Sequence, residues 1–275
     1  METTFHIQWH ITDRCNLRCL HCYQDDFSSE SELSLSSLEK IFLNVLDFVK
    51  GRKQKLVIDI TGGEPFLYNN WKELFSMVYH NPVVKKTGII TNGFFLEENT
   101  GFLDGFEKLV IKISAEGVTK KAFELFRGKG TYEVFINICK NLKTHLPARE
   151  KILMFTLTKE KTGELASLFD FIREYNFNGF IIERFIPWGR GRKIAESLIS
   201  HQEWLSTLQL LCDRCGVEED INSLLPYRGF MVRPDNKGGY DLFGAPCIVG
   251  TDGAAIMPDG TVFPCRRFPL KIGNL

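Results

Sequence analysis

Six times in succession the chain follows a short apolar, β-branched run with a longer segment of helical period, and this alternation narrows the fold more than any other feature. The strand-like runs are FHIQWHI (5–11), LVIDI (56–60), TGIIT (87–91), LVIKIS (109–114), ILMFTL (152–157) and GFIIERF (179–185). Several are apolar on successive residues, as strands covered on both faces must be. A capping box at Ser36 and Glu39 opens the first helix, which carries Leu38, Ile41, Phe42, Val45 and Val49 at helical spacing. Further helices are expected near 70–79, 95–103, 119–126, 131–145, 160–174 and 201–215. The series predicts an α/β fold, a partial or complete parallel barrel whose chemistry sits at the strand C-termini. From Gly216 onward the pattern breaks, with prolines and glycines scattered through a helix-poor stretch. A boundary is therefore expected there, giving a barrel core at 1–215 and a small cysteine-containing extension at 216–275.

Charge excludes some classes of partner. The 34 Lys and Arg balance 34 Asp and Glu over 275 residues, which argues against nucleic acid. No apolar run approaches the ~20 residues that span a bilayer, and the start METTFHIQWH lacks the pattern of an export signal, so no membrane partner is expected. Eight cysteines in such a chain read as thiols or metal ligands and imply a reducing, cytoplasmic setting.

Three of those cysteines crowd the stretch ITDRCNLRCLHCYQ, directly after the first strand, as Cys15-x3-Cys19-x2-Cys22. Three thiolates on one loop can hold three corners of an iron-sulfur cubane and leave one iron open. A Cys3His zinc site using His21 is the rival, although His21 adjoining Cys22 is awkward for it. The second strand ends in TGGEP (61–65), where Gly62 and Gly63 admit close approach to the backbone and Pro65 keeps Glu64 out of the helical region.

Together the cysteine loop and the 61–65 turn resemble the two signature motifs of the radical S-adenosylmethionine (radical SAM) enzymes. The resemblance spans residues 5 to about 191. It implies a partial (β/α)6 TIM-like barrel and a 4Fe-4S cluster on Cys15, Cys19 and Cys22, with S-adenosylmethionine on the fourth iron. Reductive cleavage then yields a 5'-deoxyadenosyl radical that abstracts hydrogen, chemistry beyond any side-chain base at neutral pH. It further implies that the Gly62, Gly63 and Glu64 backbone receives the methionyl amine. Thr91 and Asn92, Ser114, Arg127 and Pro187 would line the cofactor pocket, with His21 and Tyr23 on the loop itself. Arg127 resembles the arginine that pairs with the cofactor carboxylate, and the run ERFIPWGRG (183–191) resembles the adenine-side loop. Glu116 stands where many relatives carry Asp, and no role is assigned to it. Read alone, Arg127 is a solvated helix-end charge, Asn92-Gly93 a plain turn and Ser114 a partner for local backbone. Their placement at successive strand ends favours the shared role, Arg127 and Ser114 ahead of Asn92.

The tail resembles the opening of the SPASM or twitch extensions, with Cys247 and Cys265 flanking a PDG turn at 258–260. That resemblance implies an auxiliary 4Fe-4S cluster, but two thiolates do not hold a cubane, so the extension reads as incomplete. Cys212 and Cys215 have metal-like spacing, yet they prolong the Leu205, Leu208 stripe and are read as core, as is Cys139. The favoured function is hydrogen abstraction from a peptide or protein substrate, with a reductant such as flavodoxin or ferredoxin as second partner. Residues 1–4 leave no room for a leader-binding domain before the first strand, which weakens the peptide assignment. A small-molecule substrate and a non-catalytic zinc or iron-sulfur scaffold are the alternatives.

Overall fold

In the computed structural model, which describes residues 3–275, the chain runs β1 (Thr4–His10), α1 (Leu35–Gly51), β2 (Lys55–Thr61), α2 (Trp71–Tyr79), β3 (Val84–Thr91), α3 (Thr100–Leu103) and β4 (Leu109–Ala115). It continues through α4 (Lys120–Arg127), α5 (Thr131–His145), β5 (Glu150–Leu157), α6 (Leu165–Glu174), β6 (Gly179–Arg184), α7 (His201–Cys215) and α8 (Ile221–Leu224). Five short strands follow: β7 (Gly229–Pro234), β8 (Tyr240–Ala245), β9 (Gly253–Ile256), β10 (Thr261–Phe263) and β11 (Gly273–Asn274). No helix among the described residues is long and apolar enough to cross a membrane.

Strands β1 to β6 pair in sequence order and in parallel. The expected extension does not stack on this sheet; it lengthens it at both edges. Strands β7 and β8 add antiparallel to β6, while β9 pairs parallel to β1 and carries β10 and β11 outward. The resulting 11-stranded sheet is open, a partial barrel. Its curvature follows from chain length. Strands β8 and β9 lie eight spacings apart in the sheet, ~38 Å on the flat, and the connection 246–252 reaches at most ~29 Å.

One face of the sheet is sealed by helices. Along β1, Phe5, Ile7 and Trp9 are buried, with Trp9 stacked 6.3 Å from Phe42 and Phe5 edge-on 5.2 Å from Phe48, both on α1. That helix buries Leu38, Ile41, Phe42, Val45, Leu46 and Val49, each worth about 1.5–3 kcal/mol against exposure. The other face is polar and half-exposed, presenting His6 and Gln8, Lys112 and Ser114, Met154 and Thr156, and Glu183. There Asp59 takes His6 Nε2 at 2.8 Å and Lys112 Nζ at 2.5 Å. Gly88 of the intervening strand makes room, since a Cβ there would run into Asp59 Oδ1. Burial pushes the Asp59 carboxyl up, but Lys112 and His6 overcome it and hold it well below the usual carboxylate range.

Three helix starts differ from expectation, one of them near 95–103, where a 3-10 turn at Glu97–Asn99 precedes the single turn of α3. Ser34, not Ser36, caps α1: its Oγ accepts Ser37 N–H at 3.3 Å, and Leu33 and Leu38, at the staple positions around that cap, both join the core. The segment expected as one helix at 160–174 begins as a 3-10 turn at Lys159–Glu164 before α6. Cys139 and Cys212 lie in the core, with Cys215 packed at its edge.

Candidate active site

The strand C-termini share one rim, so the loops that leave β1 to β6 meet there. The cysteine loop leaves β1 and crosses this rim, held by its neighbours through the backbone. After β2, Gly63 and Glu64 donate their amides to Thr12 O and Arg14 O at 2.8 and 2.7 Å. A Cβ on Gly62 or Gly63 would press into the carbonyls of Thr12 or Arg14, so the approach requires glycine, and the φ of +143° at Gly62 favours it too. After β6, Gly191 and Arg190 donate their amides to Cys22 O and Gln24 O at 3.0 and 3.1 Å. From the last turn of α4, Phe126 O accepts Leu20 N–H at 2.8 Å. The GGEP turn and the cysteine loop therefore lie side by side.

The β3 loop joins through Glu64. This buried carboxylate accepts Thr91 Oγ1–H at 2.7 Å and Asn92 N–H at 2.9 Å. Burial pushes its pKa up to about 7 against those donors. Asn92 then extends its amide to Asn16 Oδ1 at 2.8 Å, with Cys15 Sγ at 3.8 Å. Thr91 thus serves Glu64, and Asn92 reaches the cysteine loop. Tyr23 donates its hydroxyl to Gly62 O at 3.4 Å, and the Arg266 guanidinium lies 4.7 Å over its ring. Ser114 projects from the half-exposed face of β4, and Pro187 sits on the β6 loop that clamps Cys22.

Arg127 is buried, not solvated. It donates Nη2–H to Glu116 Oε1 at 3.0 Å. Glu116 also takes His21 Nε2 at 3.1 Å and Lys161 Nζ at 2.5 Å. Burial raises the Glu116 carboxyl, but His21, Lys161 and Arg127 together hold it well below its ordinary range. Glu116, unassigned from sequence, is thus the hub of the rim, and Lys161 was not singled out at all. Glu116 sits two residues past Ser114, which marks it as rim-facing, whereas Lys161 in TKEKTGE resembles a solvated charge run.

Cys15, Cys19 and Cys22 are half-buried. Burial pushes Cys15 and Cys22 up to about 11 and raises Cys19 as well, where Arg127 opposes it. Left alone such thiols stay protonated; a metal makes them thiolates. Amide donors wait for that charge: Leu17 N–H on Cys15 Sγ and Gln24 N–H on Cys22 Sγ, both at 3.4 Å. Arg127 Nε and His21 Nδ1 are buried beside them without partners, so the setting fits an anionic iron-sulfur group. His21 Nε2 is engaged by Glu116 at 3.1 Å, so it is not turned to the cysteines as the fourth ligand of a Cys3His zinc site. Cys265 is half-buried, with Arg267 N–H on its Sγ at 3.4 Å, and Cys247 is exposed.

Comparison with known proteins gives the same picture. Residues 9–172 match the Radical SAM superfamily, whose members use a 4Fe-4S cluster and S-adenosylmethionine. The antilisterial bacteriocin subtilosin biosynthesis protein AlbA of Bacillus subtilis is 27% identical over 98% of this chain and 57% of its own length. A GTP 3',8-cyclase of Clostridium botulinum (strain Okra) is 27% identical over 93% of this chain and 79% of its own. Among solved structures, Streptococcus suis SuiB bound to precursor peptide SuiA has the same fold, with a TM-score of 0.68 at 15% identity over 100% of this chain and 63% of SuiB. The chain thus spans little more than half the length of AlbA and under two thirds of SuiB.

Proposed function

The chain belongs to the radical SAM superfamily, and from that premise we propose that it abstracts hydrogen from a peptide or protein substrate and so modifies it. Cys15, Cys19 and Cys22 would hold the 4Fe-4S cluster. When bound, cluster and S-adenosylmethionine supply one-electron cleavage of the sulfonium and the hydrogen abstraction that side chains cannot perform. The chain supplies position. With the Gly63 and Glu64 amides spent on Thr12 and Arg14, these two residues have carbonyls and no free amide to offer, which suits an amine donor and not an anion. Arg127 brings a planar set of donors, one of them buried without an acceptor, which suits a carboxylate. The β6 loop bonds the backbone of the cysteine loop at Cys22 and Gln24 and fixes its position. Substrate is assigned to the half-exposed face below the rim, where Ser114, Thr156 and Glu183 remain partly accessible. Cys247 and Cys265 provide two thiolates toward an auxiliary cluster, which requires further ligands.

The observation that carries the peptide reading is the likeness to AlbA, a bacteriocin biosynthesis protein, over 98% of the chain. SuiB, which shares the fold, was solved with a precursor peptide. A small-molecule substrate is the second reading, favoured by the cyclase likeness over 93% of the chain. Anaerobically reconstituted protein with dithionite and S-adenosylmethionine should form 5'-deoxyadenosine, and Cys19→Ala should abolish it. No product from an iron-loaded wild type would remove the radical chemistry. With a precursor peptide encoded beside the gene, mass spectrometry should find a modified peptide. Turnover of GTP with the peptide untouched would replace the first reading by the second.

A further inference from the structure

The group around Glu116 does not balance its charge. One carboxylate faces one guanidinium and one ammonium, with side-chain exposures of 1% for Glu116, 4% for Arg127 and 0% for Lys161. Lys161 is enclosed by aromatic faces, its Nζ 4.3 Å from the Phe126 ring centre and 5.3 Å from that of Phe155. His21, 3.1 Å from Glu116 through Nε2, brings no negative charge to the group in either of its forms. Burial lowers the Lys161 pKa and the Glu116 carboxylate opposes this at 2.5 Å; with Lys161 ionised by that contact a single surplus positive charge is buried, which is costly unless an anion lies close. The anions within reach are the metal-bound thiolates of the cysteine loop: Leu20 N–H, next to Cys19, bonds at 2.8 Å to the carbonyl of Phe126, next to Arg127, and ties that loop to the end of α4.

We propose that Glu116 and Lys161 are positioning residues that hold Arg127 in place beside Cys19 and set one surplus positive charge against the cluster, easing its reduction. The proposal rests on Cys15, Cys19 and Cys22 holding a 4Fe-4S cluster. Its physical basis is simple. Reduction by one electron from an external one-electron donor makes the thiolate-bound cluster more negative, with no bond formed or broken in that step. A fixed positive charge nearby in a poorly polarisable interior favours the more negative state.

Three variants separate charge from packing. Lys161→Met keeps length and removes the surplus; Glu116→Gln keeps shape and enlarges it; the double variant restores the original net charge. The readout is the midpoint potential of the reconstituted cluster, titrated with dithionite and followed by electron paramagnetic resonance, without S-adenosylmethionine. Lys161→Met should move it to more negative values, Glu116→Gln to more positive values, and the double variant back toward wild type. Shifts of one sign in both single variants, or none, overturn the proposal while the function stands. If one single variant does not fold, the sign of the other and the return in the double variant still decide. A wild type that takes up no cluster overturns the proposed function and this inference with it.

Discussion

Lys151 is fully buried on β5, and its ammonium meets only two carbonyls, Leu146 O at 2.8 Å and Pro147 O at 3.1 Å. Without a carboxylate to offset it, burial pulls its pKa down to about 8. The sign of the consequence follows from proton counting. Between about 8 and the ordinary 10.5 the unfolded chain binds more protons than the folded one, so this lysine makes stability rise with pH through that window. The rise amounts to at most ~3 kcal/mol at ~1.36 kcal/mol per pH unit. Other thiols and phenols titrate nearby, so the measurement is a difference. Chemical denaturation of wild type and Lys151→Met at several pH values from 7 to 10.5 should show the wild type gaining on the variant as pH rises. A constant gap would show that Lys151 keeps its ordinary pKa in the fold and that burial does not displace it.

Between elements, the contact that matters most is the one between the β2 turn and the cysteine loop. Gly63→Ala would drive a Cβ into Arg14 O and Asp13 O, backbone atoms that cannot rotate away. The loops must part, losing the hydrogen bonds of Gly63 and Glu64 to Thr12 and Arg14, a cost of about 2 kcal/mol or more. The expected result is a lower Tm and a faster loss of iron to a chelator; unchanged iron retention would show that the cysteine loop does not depend on this turn. Such contacts mark the boundary of what sequence reveals. The six parallel strands are readable because helices cover them, so Ile7, Ile58, Ile111 and Phe180 announce a buried face. The cysteines and the glycine turn are readable because metal and close approach demand those residue types. The α1 cap reads from sequence at Ser36 and lies at Ser34, because neighbouring serines carry the same local signal and only the Ser37 N–H bond to Ser34 Oγ distinguishes them. Strands β7 to β11 are short and partly exposed, and the choice of β1 as partner for β9 is a long-range matter without local signal. Lys161 belongs to the same class: only the docking of the turn after β5 onto α4 turns a surface-like lysine into the buried partner of Glu116.

At the scale of the molecule, a chain that divides by composition near residue 216 is joined again by its sheet. The later part supplies β9 to pair with β1, where His6 N–H reaches Asp252 O at 2.8 Å, and Gln54 reaches the Asp252 side chain at 3.3 Å. At the opposite edge it supplies β7, and both counter-charges of Glu183: Arg228 at 2.5 Å and Arg267. Burial pushes the Glu183 carboxyl up, but Arg267 and Arg228 hold it below its ordinary range. A fragment of residues 1–215 would therefore expose two unpaired strand edges at once and lose both arginines that hold the Glu183 carboxylate on one of them. Size-exclusion and thermal unfolding of that fragment against the whole chain should show aggregation, or a Tm lower by many degrees. Arg267→Ala in the whole chain should lower Tm by a smaller step, and Glu183→Gln added to it should recover part of the loss, because removing the carboxylate removes the unpaired charge. A monomeric fragment as stable as the parent would instead mean that the barrel strands close their own edges and that the later strands are an accessory to the fold, which the parallel pairing of β9 with β1 argues against.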